Sequence, residues 1–346
     1  MPLRTGSPNN DTINGTAGDD TFIGSAGSDT LNGGLGFDEA NYLELGQAIT
    51  LTPSGKVIKN GRLLPPEPLL TPESQLPESN NGSAVTTIST GVISGQLGAT
   101  QPGIPNQPNS NSNGFLRSID QLVSVEKIVG ALGRSNSIDA STATGSASIN
   151  VNLDLDNLTV NNISGLGPLE FMVENFVNVT GTPNSDTNTG NFGNNILNGL
   201  GGDDVLNGLG GNDTLNGGIG NDRASYVNYG QAITLKASGK VIKSGGGIDQ
   251  LVGVEQIVGA IGLPNSIDAS DATGLAFVNV NLGNKNLTVN NIPGLGSLTF
   301  TVENFVNVTG TGNNDSITGN AASNILNGGA GNDTLDGGTG NDTLDG

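Results

Sequence analysis

Apolar residues recur in this chain with two different rhythms. In three stretches a single large apolar side chain returns every nine positions: Ile13, Phe22 and Leu31; Leu197, Leu206 and Leu215; Ile317, Leu326, Leu335 and Leu344. Elsewhere apolar and polar residues alternate, as in Ala147-Ser148-Ile149-Asn150-Val151-Asn152-Leu153 and Phe277-Val278-Asn279-Val280-Asn281-Leu282. Alternation is the signature of a strand with one buried face. An isolated apolar residue between polar neighbours, as in Thr334-Leu335-Asp336, suits a three-residue strand with one side chain pointing inward. No segment carries a helical stripe, so the expected fold is all-β.

The nine-residue rhythm extends beyond the apolar position. Glycines open each phrase at Gly6, Gly15, Gly24 and Gly33, at Gly181, Gly190, Gly199, Gly208 and Gly217, and at Gly310, Gly319, Gly328 and Gly337. The sixth position holds Asp11, Asp20, Asp29, Asp38; Asp186, Asn195, Asp204, Asp213, Asp222; and Asp315, Asn324, Asp333, Asp342. A flexible Gly/Asn/Asp linker has no reason to keep three positions in phase. A short fixed period implies a solenoid in which each unit stacks on its neighbours. Six residues rich in Gly, Asn and Asp make a tight turn, because these residues tolerate positive φ. With the three-residue strand that follows, two phrases, or eighteen residues, complete one coil.

The chain also contains a long duplication. Tyr42 to Lys59 reads YLELGQAITLTPSGKVIK and Tyr226 to Lys243 reads YVNYGQAITLKASGKVIK, while Ile119 to Ser141 matches Ile248 to Ser270. The change of offset locates an insertion at about 62–116, rich in Pro, Ser and Asn, which reads as an exposed or disordered loop. The expected organisation is a first run at 1–41, a β-rich module at 42–180, a second run at 181–225, a second β-rich module at 226–309 and a third run at 310–346. The phrase V-E-x-[IF]-V starts at Val125, Val173, Val254 and Val302, and the modules read as wider coils that re-enter the solenoid.

Composition narrows the chemistry. The chain has 346 residues, 56 of them Gly, no Cys and no His, and a net charge of -20. Without Cys or His, thiolate and imidazole metal sites are excluded, and only oxygen ligands remain, the set that suits a hard ion such as Ca²⁺. The acidic surface argues against nucleic acid and anionic membranes as partners. No apolar stretch is long enough to span a bilayer, and the N-terminal residues contain no signal-peptide core. Absence of His also removes Ser-His-Asp triads and H-E-x-x-H zinc sites. Among carboxylates, the repeated Glu126, Glu174, Glu255 and Glu303 are the only candidates for a glycosidase-like pair, and their place in V-E-x-x-V fits a turn-binding or strand-end role better. No catalytic residue is assigned, and the chain is expected not to be an enzyme.

The nonapeptide resembles that of the repeats-in-toxin (RTX) family, G-G-x-G-x-D-x-U-x with U a large apolar residue. The strict form stands at Gly328 to Asp336 and Gly337 to Asp345, and the intervening modules are similar to those flanking such repeats in secreted bacterial proteins. The resemblance implies a right-handed parallel β-roll, a β-solenoid whose runs are joined by the β-rich modules. It also implies Ca²⁺ ions between turns on one side, held by Asp carboxylates and backbone carbonyls. Carried onto this chain, the metal candidates are Asp11, Asp20, Asp29, Asp38, Asp186, Asn195, Asp204, Asp213, Asp222, Asp315, Asn324, Asp333 and Asp342, paired eighteen residues apart, with weaker sites where Asn195 or Asn324 contributes no charge. It implies an extracellular protein, exported by type I secretion without a cleaved N-terminal signal. Such a protein is a structural or interaction module, with a polysaccharide or cell-surface partner left open, or the Ca²⁺-folded portion of a larger secreted enzyme or adhesin.

Two carboxylates about 4 Å apart repel by roughly 4 kcal/mol at an effective dielectric near 20. One buried Leu contributes only about 1.5–3 kcal/mol. Stacked aspartates would therefore outweigh the thin core unless a divalent ion lay between them, and the runs are expected to fold on binding Ca²⁺.

Overall fold

The computed structural model describes residues 1–60, 109–110, 116–163, 167–294 and 296–346. Most of the Pro-rich insertion read at about 62–116 lies outside the described residues. No helix occurs among the described residues, and the strands form two sheets, one of sixteen strands and one of seventeen.

Successive three-residue strands alternate between the sheets, and each pairs in parallel with the strand one coil away. Thr21 lies beside Leu3 and Glu39 beside Thr21; Val205 lies beside Thr187 and Arg223 beside Val205; Ile325 lies beside Asn307 and Thr343 beside Ile325. Each step is eighteen residues, the coil length that the nine-residue phase predicts. Parallel β-roll coils continue through the intervening segments, so both sheets run the length of the described chain.

The modules enter the sheets as antiparallel three-strand meanders. In the first sheet these are Ser148–Asn152, Asn157–Asn161 and Leu169–Glu174, then Phe277–Asn281, Asn286–Ile292 and Gly296–Glu303. In the second they are Ile49–Leu51, Lys56–Asn60 and Leu116–Val123, then Ile233–Lys236, Lys240–Lys243 and Ile248–Val252. An odd number of strands restores the original direction, so each meander's outer strands pair in parallel with the roll on either side. The roll also continues directly out of the meander through a shortened turn. Leu122 and Ile128 are six residues apart instead of nine, with Ser124 at φ 49° making the bend.

The core is a double file of side chains between the sheets. Phe22, Ala40, Ile128 and Val173 follow one another in the first sheet, and Val179, Leu197, Leu215 and Leu251 in the second, all buried. The alternation read in Ala147–Leu153 is reproduced, with Ala147, Ile149, Val151 and Leu153 buried and Asn150 exposed. One polar residue interrupts the file: Asn188 is fully buried between Val151 and Leu206, and neither its amide nitrogen nor its carbonyl oxygen finds a partner. Each nonapeptide buries at most one large apolar side chain, so cohesion of the runs rests heavily on polar bonds between coils.

Candidate metal centre

Those bonds begin with the sixth-position carboxylates. Seven of the thirteen reach back one coil and accept the backbone N–H of the preceding sixth-position residue, and Asp186 and Asp315 accept the N–H of Ile149 and Val278 in the meanders instead. Asp29 Oδ1 accepts from Asp11, Asp38 from Asp20, Asp204 from Asp186, Asp222 from Asp204, Asp213 from Asn195, Asp333 from Asp315 and Asp342 from Asn324, at 2.8–3.0 Å. The structure thus brings together every pair that the eighteen-residue spacing proposes. The ladder continues into the modules, where Asp120 accepts from Asp29, Asp249 from Asp213, Glu126 from Asp38 and Glu255 from Asp222. Glu126 and Glu255 are therefore the ladder's last rungs, whereas Glu174 and Glu303 pair with Lys127 and Lys285 at 2.8 and 3.2 Å.

The opening glycine makes room for this carboxylate. A Cβ on Gly15 would lie 2.8 Å from Asp20 Oδ2, and one on Gly337 2.5 Å from Asp342 Oδ2. No larger residue fits there without displacing the acid.

A second ladder lies outside the first and has no counterpart in the sequence reading. The fifth position is Asn, Asp or Ser in twelve of thirteen phrases, and its side chain accepts the N–H of the fifth residue one coil later. Asn10 accepts from Ser28, Asp19 from Phe37, Asn194 from Asn212, Asp203 from Asn221 and Asn314 from Asn332. Phe37 is the exception, and the shortened turn at Ser124 is the next in its stack. The enrichment in small polar residues at this position was the signal available.

The turns occur in two states, and the second residue of the phrase decides which. Where it is Ser, Thr or Asn, its polar groups close over the carboxylate. Thr182 donates its N–H to Asp186 Oδ2 at 2.5 Å and its hydroxyl to Oδ1 at 3.0 Å. Ser7, Thr16, Asn191, Thr311 and Asn320 likewise donate their N–H groups to the acid or amide four residues on, and Ser25 does so with its hydroxyl. Where the second residue is Gly or Leu, it adopts positive φ: Gly34 101°, Leu200 76°, Leu209 59°, Gly218 105°, Gly329 96° and Gly338 81°. In these open turns the N–H is directed elsewhere, as in Leu209 and Gly329, which donate to Asn207 and Asn327.

Open turns leave carboxylate oxygens without partners. Oδ2 of Asp38, Asp204, Asp222 and Asp333 is buried and accepts no hydrogen bond. Asp204 and Asp222 belong to consecutive open turns on one edge of the roll, those of Leu200 and Gly218, and are 1% and 0% exposed. Burial, reinforced by the charges of Asp186, Asp222 and Asp203, pushes the Asp204 carboxyl up to about 7. Asp222 is raised by burial and by Glu255 and Asp203. Asp186 and Asp315 are raised by burial against the pull of their N–H and hydroxyl donors. For Asp20 the bonds from Thr16 and Arg4 outweigh burial and hold the carboxyl below its usual range.

An orphaned, buried carboxylate oxygen is an unmet demand for positive charge, since such a group costs free energy unless it is paired or coordinates a metal. Among the described residues no three acidic side chains converge on one point. Further oxygen ligands would have to be backbone carbonyls of the turns, a donor set that fits Ca²⁺. Asn195 and Asn324 meet the demand differently. Their Nδ2 groups donate to the Val177 and Val306 carbonyls at 2.8 and 2.7 Å, in turns that Asn191 and Asn320 close.

Two lysines missed in the sequence lie in the same ladders. Lys59 Nζ is bonded to Asp120 Oδ1 at 2.5 Å and to the Ser25 carbonyl at 2.8 Å, with Asp29 Oδ2 at 3.5 Å. Lys243 Nζ is bonded to Asp249 Oδ1 at 2.6 Å, Asp213 Oδ2 at 2.9 Å and the Leu209 carbonyl at 3.0 Å. Both lysines are buried. Their recurrence at matching places in the duplication, within KVIK each time, was the available signal.

Comparison with known families agrees with this geometry. A family model described as RTX calcium-binding nonapeptide repeat (4 copies) matches residues 5–40, 189–224 and 309–344. No curated protein matches the chain.

Proposed function

We propose, for a chain whose three nonapeptide runs are RTX calcium-binding repeats, that Ca²⁺ binds at the open turns and completes the folding of the runs, and that this takes place outside the cell. The observation that carries the reading is the pair of buried, unpartnered Oδ2 atoms of Asp204 and Asp222 in consecutive open turns. Without an ion these oxygens are desolvated with nothing in return; with one, the array of like charges becomes cohesive. Closed turns have no such need, because Ser, Thr or Asn already supplies the donors.

Of the thirteen sixth-position residues, Asp38, Asp204, Asp222, Asp333 and Asp342 are therefore the principal ligands. Asp213 shares its open turn with Lys243, while Asp11, Asp20, Asp29, Asp186, Asn195, Asp315 and Asn324 serve mainly as rungs of the ladder. Millimolar Ca²⁺ outside cells matches the affinity range of extracellular calcium modules, and cytosolic levels do not. Folding would then be deferred until export. The chain acts in this reading as a structural or interaction module, either alone or within a larger secreted protein.

Calorimetric titration with Ca²⁺, followed in parallel by circular dichroism, tests the reading. The expected result is no more than five ions per chain, with β signal gained on binding. Failure to bind Ca²⁺ at millimolar concentration, or a spectrum identical in chelator and Ca²⁺, refutes it.

A further inference from the structure

The two buried lysines are placed as a bound cation would be. Lys243 Nζ touches a sixth-position carboxylate of one coil, Asp213, the matching carboxylate of the next coil, Asp249, and the carbonyl of Leu209, the second residue of an open turn. Lys59 repeats the arrangement with Asp29, Asp120 and the Ser25 carbonyl. A positive charge between two carboxylates one coil apart, also held by a turn carbonyl, is the environment expected of an ion between turns. Here the charge arrives on a side chain. Both lysines come from the middle strand of a meander, Lys56–Asn60 or Lys240–Lys243.

The surroundings secure it. Tyr42 donates its hydroxyl to Asp120 Oδ2 at 2.8 Å, and Tyr226 to Asp249 Oδ2 at 2.9 Å. The N–H groups of Asp29 and Asp213 bond the other oxygen of those same acids. Asp120 and Asp249 are thus saturated by a backbone N–H, an ammonium and a phenol. Leu209 is informative by contrast with Leu200. Both are non-glycine residues held at positive φ in open turns, yet Asp204 beside Leu200 keeps an orphaned oxygen, while Asp213 beside Leu209 does not.

We propose that Lys59 and Lys243 are tethered cations between turns, Lys243 in the place of a Ca²⁺ at the open turn of Leu209 and Lys59 beside the turn that Ser25 closes, so that the coils on which the second-sheet meanders rest are assembled without the ion. This rests on the reading that the open turns bind Ca²⁺. The structure then contains two ion-independent nuclei, one at the end of the first run and one at the end of the second. Ca²⁺ extends the roll from coils already in place instead of nucleating it.

Removing the ammonium should unmask a metal site. Calorimetric titration of the full chain with Ca²⁺ is expected to give one more ion for Lys243→Ala than for the wild type. A folded Lys243→Ala variant with wild-type stoichiometry overturns the proposal. Wild-type chain that binds no Ca²⁺ at all instead refutes the function proposed above.

Hydrogen exchange on the wild type in chelator keeps the test independent of the variant's folding. The amides of Asp29 and Asp213 are expected to exchange at least about tenfold more slowly than those of Asp186 and Asp204, whose acceptors lie at an ion-requiring edge. Equal rates in the two groups overturn the proposal.

Discussion

Asp204→Asn exchanges one oxygen for nitrogen and removes one charge while keeping the side chain's shape. The Asp186 N–H, 2.8 Å from Oδ1, keeps its acceptor, and an amide nitrogen replaces the unpartnered Oδ2. Without Ca²⁺ the exchange relieves a carboxyl raised from 3.8 to about 7. Three pKa units correspond to about 4 kcal/mol at most, and discounting for water that reaches the edge of the roll leaves about 1–2 kcal/mol. At pH 8 in chelator the variant is therefore expected to be more stable than the wild type by about that amount. With Ca²⁺ in excess the sign reverses. An ion at about a hundred times its dissociation constant contributes about 2.7 kcal/mol, and the variant forfeits the share of it that passes through Asp204. Urea unfolding at pH 8, in chelator and in millimolar Ca²⁺, measures both. A loss of the same size and sign under the two conditions refutes the reasoning, because it would mean that Asp204 stabilises the roll as a ladder rung alone.

Three further outcomes follow from the same geometry. Asn188→Ile places in the core the residue found at the duplicated position, Ile317; since both polar atoms of Asn188 are buried without partners, a gain of about 1–3 kcal/mol is expected in denaturant unfolding. Gly199→Ala drives a Cβ into Asp204 and to 2.6 Å from the Gly217 carbonyl, whereas a Cβ on Gly18 meets nothing within 4 Å; the first should cost about 2 kcal/mol or more, and the second should be neutral within about 0.5 kcal/mol. In chelator, stability should rise as pH falls from 8 toward 5. The Asp204 carboxyl is about 7 in the fold, and those of Asp186, Asp222 and Asp315 are raised as well. A carboxyl raised on folding favours the native state below its unfolded value near 4, and that advantage is lost as pH climbs through its folded value. Thermal midpoints at pH 5.5 and 8 check the sign, which millimolar Ca²⁺ should invert.

What could be read in advance was whatever depends on local period. Nine residues divide into a turn and a three-residue strand, so the eighteen-residue register of Leu3 with Thr21 and the stacking of Asp11 on Asp29 follow from spacing. The alternation around Ile149 and Val278 likewise announces strands, although it does not reveal that each belongs to an antiparallel meander whose odd strand count preserves the roll's direction. The distinction between open and closed turns was harder to see, because the repeat formula treats Thr182 and Gly218 as variants of one position. Physically they are opposites. A hydroxyl and an N–H aimed at the carboxylate do part of an ion's work, while a left-handed second residue withdraws its N–H and leaves Asp222 in need of one. The lysines were hidden for another reason. Lys243 and Asp213 are thirty residues apart, and Lys59 and Asp120 sixty-one, joined only once the meander folds back on the roll. Threonine cap, asparagine amide, lysine ammonium and bound ion are then interchangeable answers to one electrostatic demand, each carboxylate being satisfied by the nearest donor its turn can supply. In the function proposed above, calcium is required only where the chain has supplied none.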